Sequence, residues 1–150
     1  NNVHSLRTRK IGHAISADVH VQVDPFLSVS EGHIISVSVE RVAKECLEDL
    51  SDVTVHIDPE DDEMVAPYET LPERAEALGI LTRALFNNKC DGEIERIQLH
   101  YLDSRIHVDF YLPLSCLESD QSSDEILAKL HTTVDALEGF GRIKVYFSKD

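Results

Sequence analysis

Basic residues are scarce in this chain. Against 28 aspartates and glutamates stand 14 lysines and arginines, a formal net charge of −14 over 150 residues. Phosphate backbones are gripped by clustered Lys and Arg, so the deficit argues against a nucleic-acid partner. It suits a protein that attracts cations. Cysteine is also sparse. Cys46, Cys90 and Cys116 are an odd number with no CxxC spacing, which excludes a disulfide framework and makes a reducing compartment the natural home. They read as small apolar residues. No apolar run approaches the ~18 residues that would span a bilayer, and no signal-peptide pattern opens the chain, so the chain as given is expected to be soluble. HExxH, the nucleophile elbow and the phosphate loop are all missing, which argues against an enzyme. An initiator Met is lacking too. Asn1-Asn2-Val3 runs straight into patterned sequence, as expected of a fragment of something longer.

What is present is ordinary globular material, 42% hydrophobic and 28% charged, so disorder is not the expectation. Residues 3–11 and 14–23 read as two strands turning at Lys10-Ile11-Gly12-His13. Ala17, Val19, Val21 and Val23 alternate on one face of the second, with Asp18, His20 and Gln22 on the other. A helix is expected from Ser28, where Ser28 and Glu31 have capping-box spacing. Its buried stripe is Ile35, Val39, Val42, Cys46 and Leu50. A third strand follows, with Val53, Val55 and Ile57 inward and Thr54, His56 and Asp58 on the opposite side. Pro59 and the acidic run Glu60-Asp61-Asp62-Glu63 end the unit, and residues 61–70 read as an acidic linker.

The remainder, 71–150, repeats the plan. A helix from Pro72 to about Asn88 buries Leu78, Leu81 and Leu85. A hairpin of 94–102 and 105–114 turns at Asp103-Ser104. A second helix starts at Ser122 with Ile126, Leu127, Leu130, Val134 and Leu137 inward, and Arg142–Phe147 closes the unit. The order ββαβ then αββαβ implies an internal duplication. The expected fold class is α+β, with two tandem ferredoxin-like (metallochaperone-like) units, each a three-stranded sheet with helices on one face. The first unit spans 1–60 and lacks the leading helix of the second.

Histidine carries the chemistry. There are eight, and His4, His13, His20, His33 and His56 all fall in the first unit. His56 and Asp58 are two apart on one strand, so both side chains leave the same face. His20 sits on the polar face of the neighbouring strand, and His33 in the first turn of the helix between them. Imidazole nitrogen with carboxylate oxygen is a zinc-type ligand set, and with no cysteine among them Co²⁺, Ni²⁺, Mn²⁺ or Fe²⁺ are also possible. His13, in the turn, is not counted as a ligand.

The stretch His4-Ser5-Leu6-Arg7-Thr8-Arg9-Lys10 followed by Gly12 resembles the H-x-L-R-T-R-x-x-G motif that opens the cytoplasmic domain of cation diffusion facilitators, membrane exporters of Zn²⁺ and related ions. The resemblance continues through Val19-His20-Val21, Asp24-Pro25, Glu31-Gly32-His33 and Val55-His56-Ile57-Asp58-Pro59, covering about residues 3–59. It implies that His4, His20, His33, His56 and Asp58 bind metal. It also implies a homodimer drawn together by metal, and attachment to a membrane domain of the same polypeptide at the cytoplasmic face of the inner membrane. Arg7 and Arg9 are expected to pair with acidic residues.

The family usually ends soon after the equivalent of Pro59, so the second unit is a departure. It has no H-x-D on its closing strand, and His100, His107 and Asp109 do not match the first unit's ligand positions. A second, weaker site at His107 and Asp109 is conceivable; the preferred reading is a degenerate copy without ligands that serves packing or dimerisation. Two further functions stand beside the exporter module. One is a free-standing metal buffer or chaperone, the other a small-molecule-sensing regulatory domain.

Overall fold

The computed structural model describes residues 2–61, 71–85, 94–117 and 122–149. The chain divides into two compact units, Asn1–Val65 and Ala66–Asp150.

In unit 1, β1 (Asn2–Ile11) and β2 (Ala14–Gln22) form an antiparallel hairpin, followed by α1 (Val29–Cys46) and β3 (Leu50–Asp58). β3 pairs parallel with β2, giving the order β1-β2-β3. Gly12 turns the hairpin at φ +65°, a conformation other residues adopt at a cost. At the start of α1 the Ser28 hydroxyl accepts the Glu31 N–H while the Glu31 carboxylate accepts the Ser28 N–H at 2.9 Å, the capping box that the spacing implied. α1 packs on the face of the sheet built from Ala17, Val19, Val21, Val23 and Val53, supplying Ile35, Val39 and Ala43. Three members of the expected stripe are corrected. Val42 and Cys46 are exposed, and Leu50 belongs to β3. The stripe runs at four-residue steps from Ile35 through Val39 to Ala43, so Val42 lies about 100° off it. The helix stops at Cys46 because Leu47 is already extended.

Unit 2 runs α2 (Arg74–Leu85), β4 (Arg96–Leu102), β5 (Arg105–Pro113), one turn of 3-10 helix (Leu114–Leu117), α3 (Ser123–Asp135) and β6 (Phe140–Ser148). Its sheet has the order β4-β5-β6. Both helices contribute to a core with Ile106, Val108, Phe110 and Leu112: Ala77, Leu81 and Leu85 from α2, Ile126, Leu130 and Val134 from α3. Ala77 takes the fully buried place expected of Leu78, and Leu127 is 37% exposed, one position off the Ile126–Leu130–Val134 stripe. The expected linker beyond Asp61, the helix end near Asn88 and Cys90 lie outside the described residues.

Both units therefore have the expected α+β class, each a three-stranded sheet with helix against one face, one helix in unit 1 and two in unit 2. The likeness of the two units extends to register. β2 and β5 are nine residues each, as are β3 and β6. In each unit the second residue of the middle strand pairs with the first of the last strand, Ile15 with Leu50 and Ile106 with Phe140. Each ladder is irregular immediately afterwards. Both hairpins turn in two residues, the second with Asp103 and Ser104 at φ +54° and +55°. No described helix is long and apolar enough to cross a membrane.

Candidate metal centre

The face of the unit 1 sheet that α1 leaves uncovered carries the polar side chains of β2 and β3. Strand alternation sends His20 and Gln22 from β2, and His56 and Asp58 from β3, to this side. The ladder sets His20 directly opposite His56, and Gln22 opposite Asp58. Asp58 then lies diagonally next to His20, whose Nδ1–H donates to Asp58 Oδ2 at 2.9 Å.

The third participant comes from an irregularity. Val3 pairs with Val21 and Ser5 with His20, so His4 is the unpaired extra residue of a β-bulge. Without the bulge, the register set by Ser5 would put His4 opposite Val21, on the core side. With it, His4 turns to the polar face, and its Nε2 comes 3.3 Å from the same Asp58 Oδ2. The hairpin and the parallel crossover thus bring one ligand from each strand to a single oxygen.

His4, His20 and Asp58 each offer one ligand atom, and the three atoms lie within 4.8 Å of one another. This is the one such group of three among the described residues. The spacing suits a tetrahedral ion: bonds of about 2.0 Å put neighbouring ligand atoms about 3.3 Å apart. Burial favours it too. The side chains of His4 and Asp58 are only 7% and 13% exposed. Two imidazoles and one carboxylate leave at least one position of a tetrahedron open.

The other two expected ligands stand differently. The His56 ring stacks on His20, centroids 4.3 Å apart and planes 9° from parallel, with its side chain exposed beside the trio. His33 is on α1, in the helical layer, exposed and lining a cleft of about 380 Å³ with Asp24, Gly32 and Pro59. Its imidazole is not among the converging atoms. Arg9 reaches Asp18 at 3.8 Å across the same open face, an exposed pair of small energetic weight.

Unit 2 offers pairs rather than a trio. His100 Nε2 lies 3.3 Å from Asp109 Oδ2. His107 Nδ1 accepts the Arg142 backbone N–H at 2.8 Å, which fixes the ring proton on Nε2. Burial, with the nearby Arg142 cation, holds the His107 imidazole below its ordinary pKa, so it favours the neutral state.

Residues 1–60 match the family model described as the cytoplasmic domain of cation efflux proteins. Metal tolerance protein C1 of Arabidopsis thaliana is 27% identical over 146 residues, covering 90% of this chain and 31% of that protein. Metal tolerance protein 2 of Oryza sativa subsp. japonica is 41% identical over 54 residues, 36% of this chain and 14% of that protein. The chain therefore spans about a third or less of the length of these relatives. Among solved structures, a manganese form of a MamM CTD variant is 29% identical, covering 39% of this chain and 73% of that one, with a TM-score of 0.37. Another MamM CTD variant is 25% identical, covering 39% and 70%, with a TM-score of 0.38.

Proposed function

We propose that this chain, whose residues 1–60 match the family model of the cation efflux protein cytoplasmic domain, is the regulatory part of a divalent-metal exporter, binding a Zn²⁺-type ion and promoting closure of a homodimer. The observation that carries this reading is the convergence of His4 Nε2 and His20 Nδ1 on Asp58 Oδ2. His4, His20 and Asp58 form the core of the site in this reading. His56 supplies a fourth nitrogen from beside it, so that the Asp58 carboxylate can bridge a second ion. His33, exposed in the helical layer, is offered to a second copy.

The ion supplies positive charge where the chain is strongly acidic. Two copies with negative surfaces repel one another, and a bound M²⁺ on each relieves the repulsion and shifts the population toward the closed pair. The hydrogen bond between His20 Nδ1 and Asp58 Oδ2 holds the site in the absence of metal, and an ion would take its place between the two atoms. The membrane domain of the same polypeptide, at the cytoplasmic face of the inner membrane, is the partner that reads the closure. Co²⁺, Ni²⁺, Mn²⁺ and Fe²⁺ suit the same nitrogen and oxygen donors, and competition against Zn²⁺ ranks them.

Calorimetric titration of the chain with Zn²⁺ tests the proposal. Binding should be lost on combining His20→Ala with Asp58→Ala, and should weaken in acid, because protons compete with the metal for imidazole nitrogen. A wild-type chain that takes up no Zn²⁺, or a double variant that binds as well as wild type, would sink it.

A further inference from the structure

The second unit repeats the backbone positions of the metal centre with other side chains. Equal strand lengths and equal registers put His20 and His56 on the positions of Tyr111 and Tyr146, and Asp58 on that of Ser148. His4 precedes the residue paired with His20. Its counterpart Glu95 precedes Arg96, the residue paired with Tyr111.

At each position the contact survives while its chemistry changes. The His20–His56 stack becomes a Tyr111–Tyr146 stack, centroids 5.0 Å apart and planes at 16°. The His4–Asp58 approach of 3.3 Å becomes a hydrogen bond in which Ser148 Oγ donates to Glu95 Oε2 at 2.9 Å. Arg96, where unit 1 has Ser5, lays its guanidinium 3.8 Å from the Tyr111 ring centre. The Arg9–Asp18 pair has its counterpart in His100–Asp109. The histidine–aspartate pair of unit 2 therefore stands where unit 1 keeps an ion pair, away from the ligand positions.

Phenol and hydroxyl groups are poor substitutes for imidazole and carboxylate around a zinc-type ion. Aromatic stacking, a cation over a ring and a hydroxyl–carboxylate bond hold strands together with no ion at all. We propose that unit 2 is the metal-independent copy of the same device, tying β4, β5 and β6 together permanently at the positions where unit 1 uses an ion to tie β1, β2 and β3. This rests on metal binding by unit 1. Its consequence is a chain with a metal centre in unit 1 alone, where a unit that responds to metal is joined to one that does not.

Zinc titration of the 150-residue chain and its variants separates the two ideas. If wild type takes up no Zn²⁺, the reading of unit 1 fails. If wild type binds, the chain with His20→Ala and Asp58→Ala should be silent. A residual isotherm abolished by His100→Ala with Asp109→Ala would give unit 2 its own site and overturn the proposal. Into the silent chain Glu95→His, Tyr111→His, Tyr146→His and Ser148→Asp are then introduced. Zinc binding should return with an affinity within about a hundredfold of wild type, the deficit of a site lacking its outer hydrogen-bonding shell. A graft that is folded by circular dichroism yet takes up no Zn²⁺ overturns the positional equivalence. A fourth variant needs no graft. Glu95→Gln with Ser148→Ala in wild type should lower the unit 2 melting temperature equally in zinc and in EDTA, and a zinc-dependent loss would refute the idea.

Discussion

Zinc should raise the melting temperature of unit 1 and leave unit 2 where it was. The perturbation is saturation of the His4–His20–Asp58 site, whose ligands come from β1, β2 and β3, so that an ion there opposes separation of every strand in the sheet. A ligand at a hundred times its Kd stabilises the native state by about 2.7 kcal/mol. For a unit of this size each kcal/mol moves the midpoint by about 4–8 °C, so the expected shift is about 10–20 °C. Unit 1 should also be the first to melt in EDTA. Its core residues retain 4–8% exposure, whereas Ile106, Val108, Phe110 and Leu112 of unit 2 are fully enclosed beneath two helices. The sequence supplies a convenient reporter, because residues 1–65 contain no tyrosine. Far-UV circular dichroism follows both units and tyrosine fluorescence only the second. Zinc should move the lower dichroism transition upward while the fluorescence transition stays fixed. A fluorescence midpoint that climbs with zinc, or a lower transition that stays put at a hundred times the measured Kd, would refute the reasoning.

Three further outcomes are expected. Gly141→Ala would put a Cβ 2.5 Å from His107 Nδ1 and 2.6 Å from Cε1, displacing the ring from the Arg142 N–H. The overpacking should destabilise unit 2 by about 1–3 kcal/mol, read from the tyrosine-reported denaturant midpoint. The lowered pKa of His107 means the unfolded chain binds its proton more readily than the folded one, so His107's contribution favours folding at neutral pH and is lost as pH falls through about 6.5. His107→Gln should therefore flatten the dependence of unit 2 stability on pH between about 7 and 5, and an unchanged slope in urea titrations would remove His107 as the cause. Ser28→Ala removes the acceptor for the Glu31 N–H, costing unit 1 about 1 kcal/mol in a chemical melt.

The elements were legible because their signals are local. Alternation from Ala17 to Val23 and from Val53 to Ile57, the capping boxes at Ser28 and Ser122, and Gly12 in the turn each act within a few residues, and the strands and helices formed where they pointed. Misjudged positions lie at helix ends and one step off a helix stripe. Val42 and Leu127 flank residues that face the sheet, and Cys46 and Leu50 fall where α1 has ended or β3 has begun. Helical spacing alone cannot say which of two adjacent apolar residues the sheet will cover.

The site divides along the same line between local and long-range information. His20, His56 and Asp58 follow from period-two alternation once β2 and β3 are neighbours, and that adjacency is the natural product of a strand–helix–strand crossover. His4 does not follow. Its side chain reaches Asp58 because β1 carries one residue more than the register allows, and nothing in Asn2-Val3-His4-Ser5 marks a bulge by composition. Only the resemblance of His4-Ser5-Leu6-Arg7-Thr8-Arg9 to a known motif singled it out. The same bookkeeping of register recovers what the sequence concealed in unit 2. His100, His107 and Asp109 looked like a faint second ligand set because they are histidines and an aspartate, the residue types that bind metal. Their pairing puts His100 on the Arg9 position, Asp109 on that of Asp18 and His107 on that of Ser16, while the positions of the candidate ligands hold Glu95, Tyr111, Tyr146 and Ser148. Residue type proposes a ligand, and backbone register decides whether it stands where the others converge.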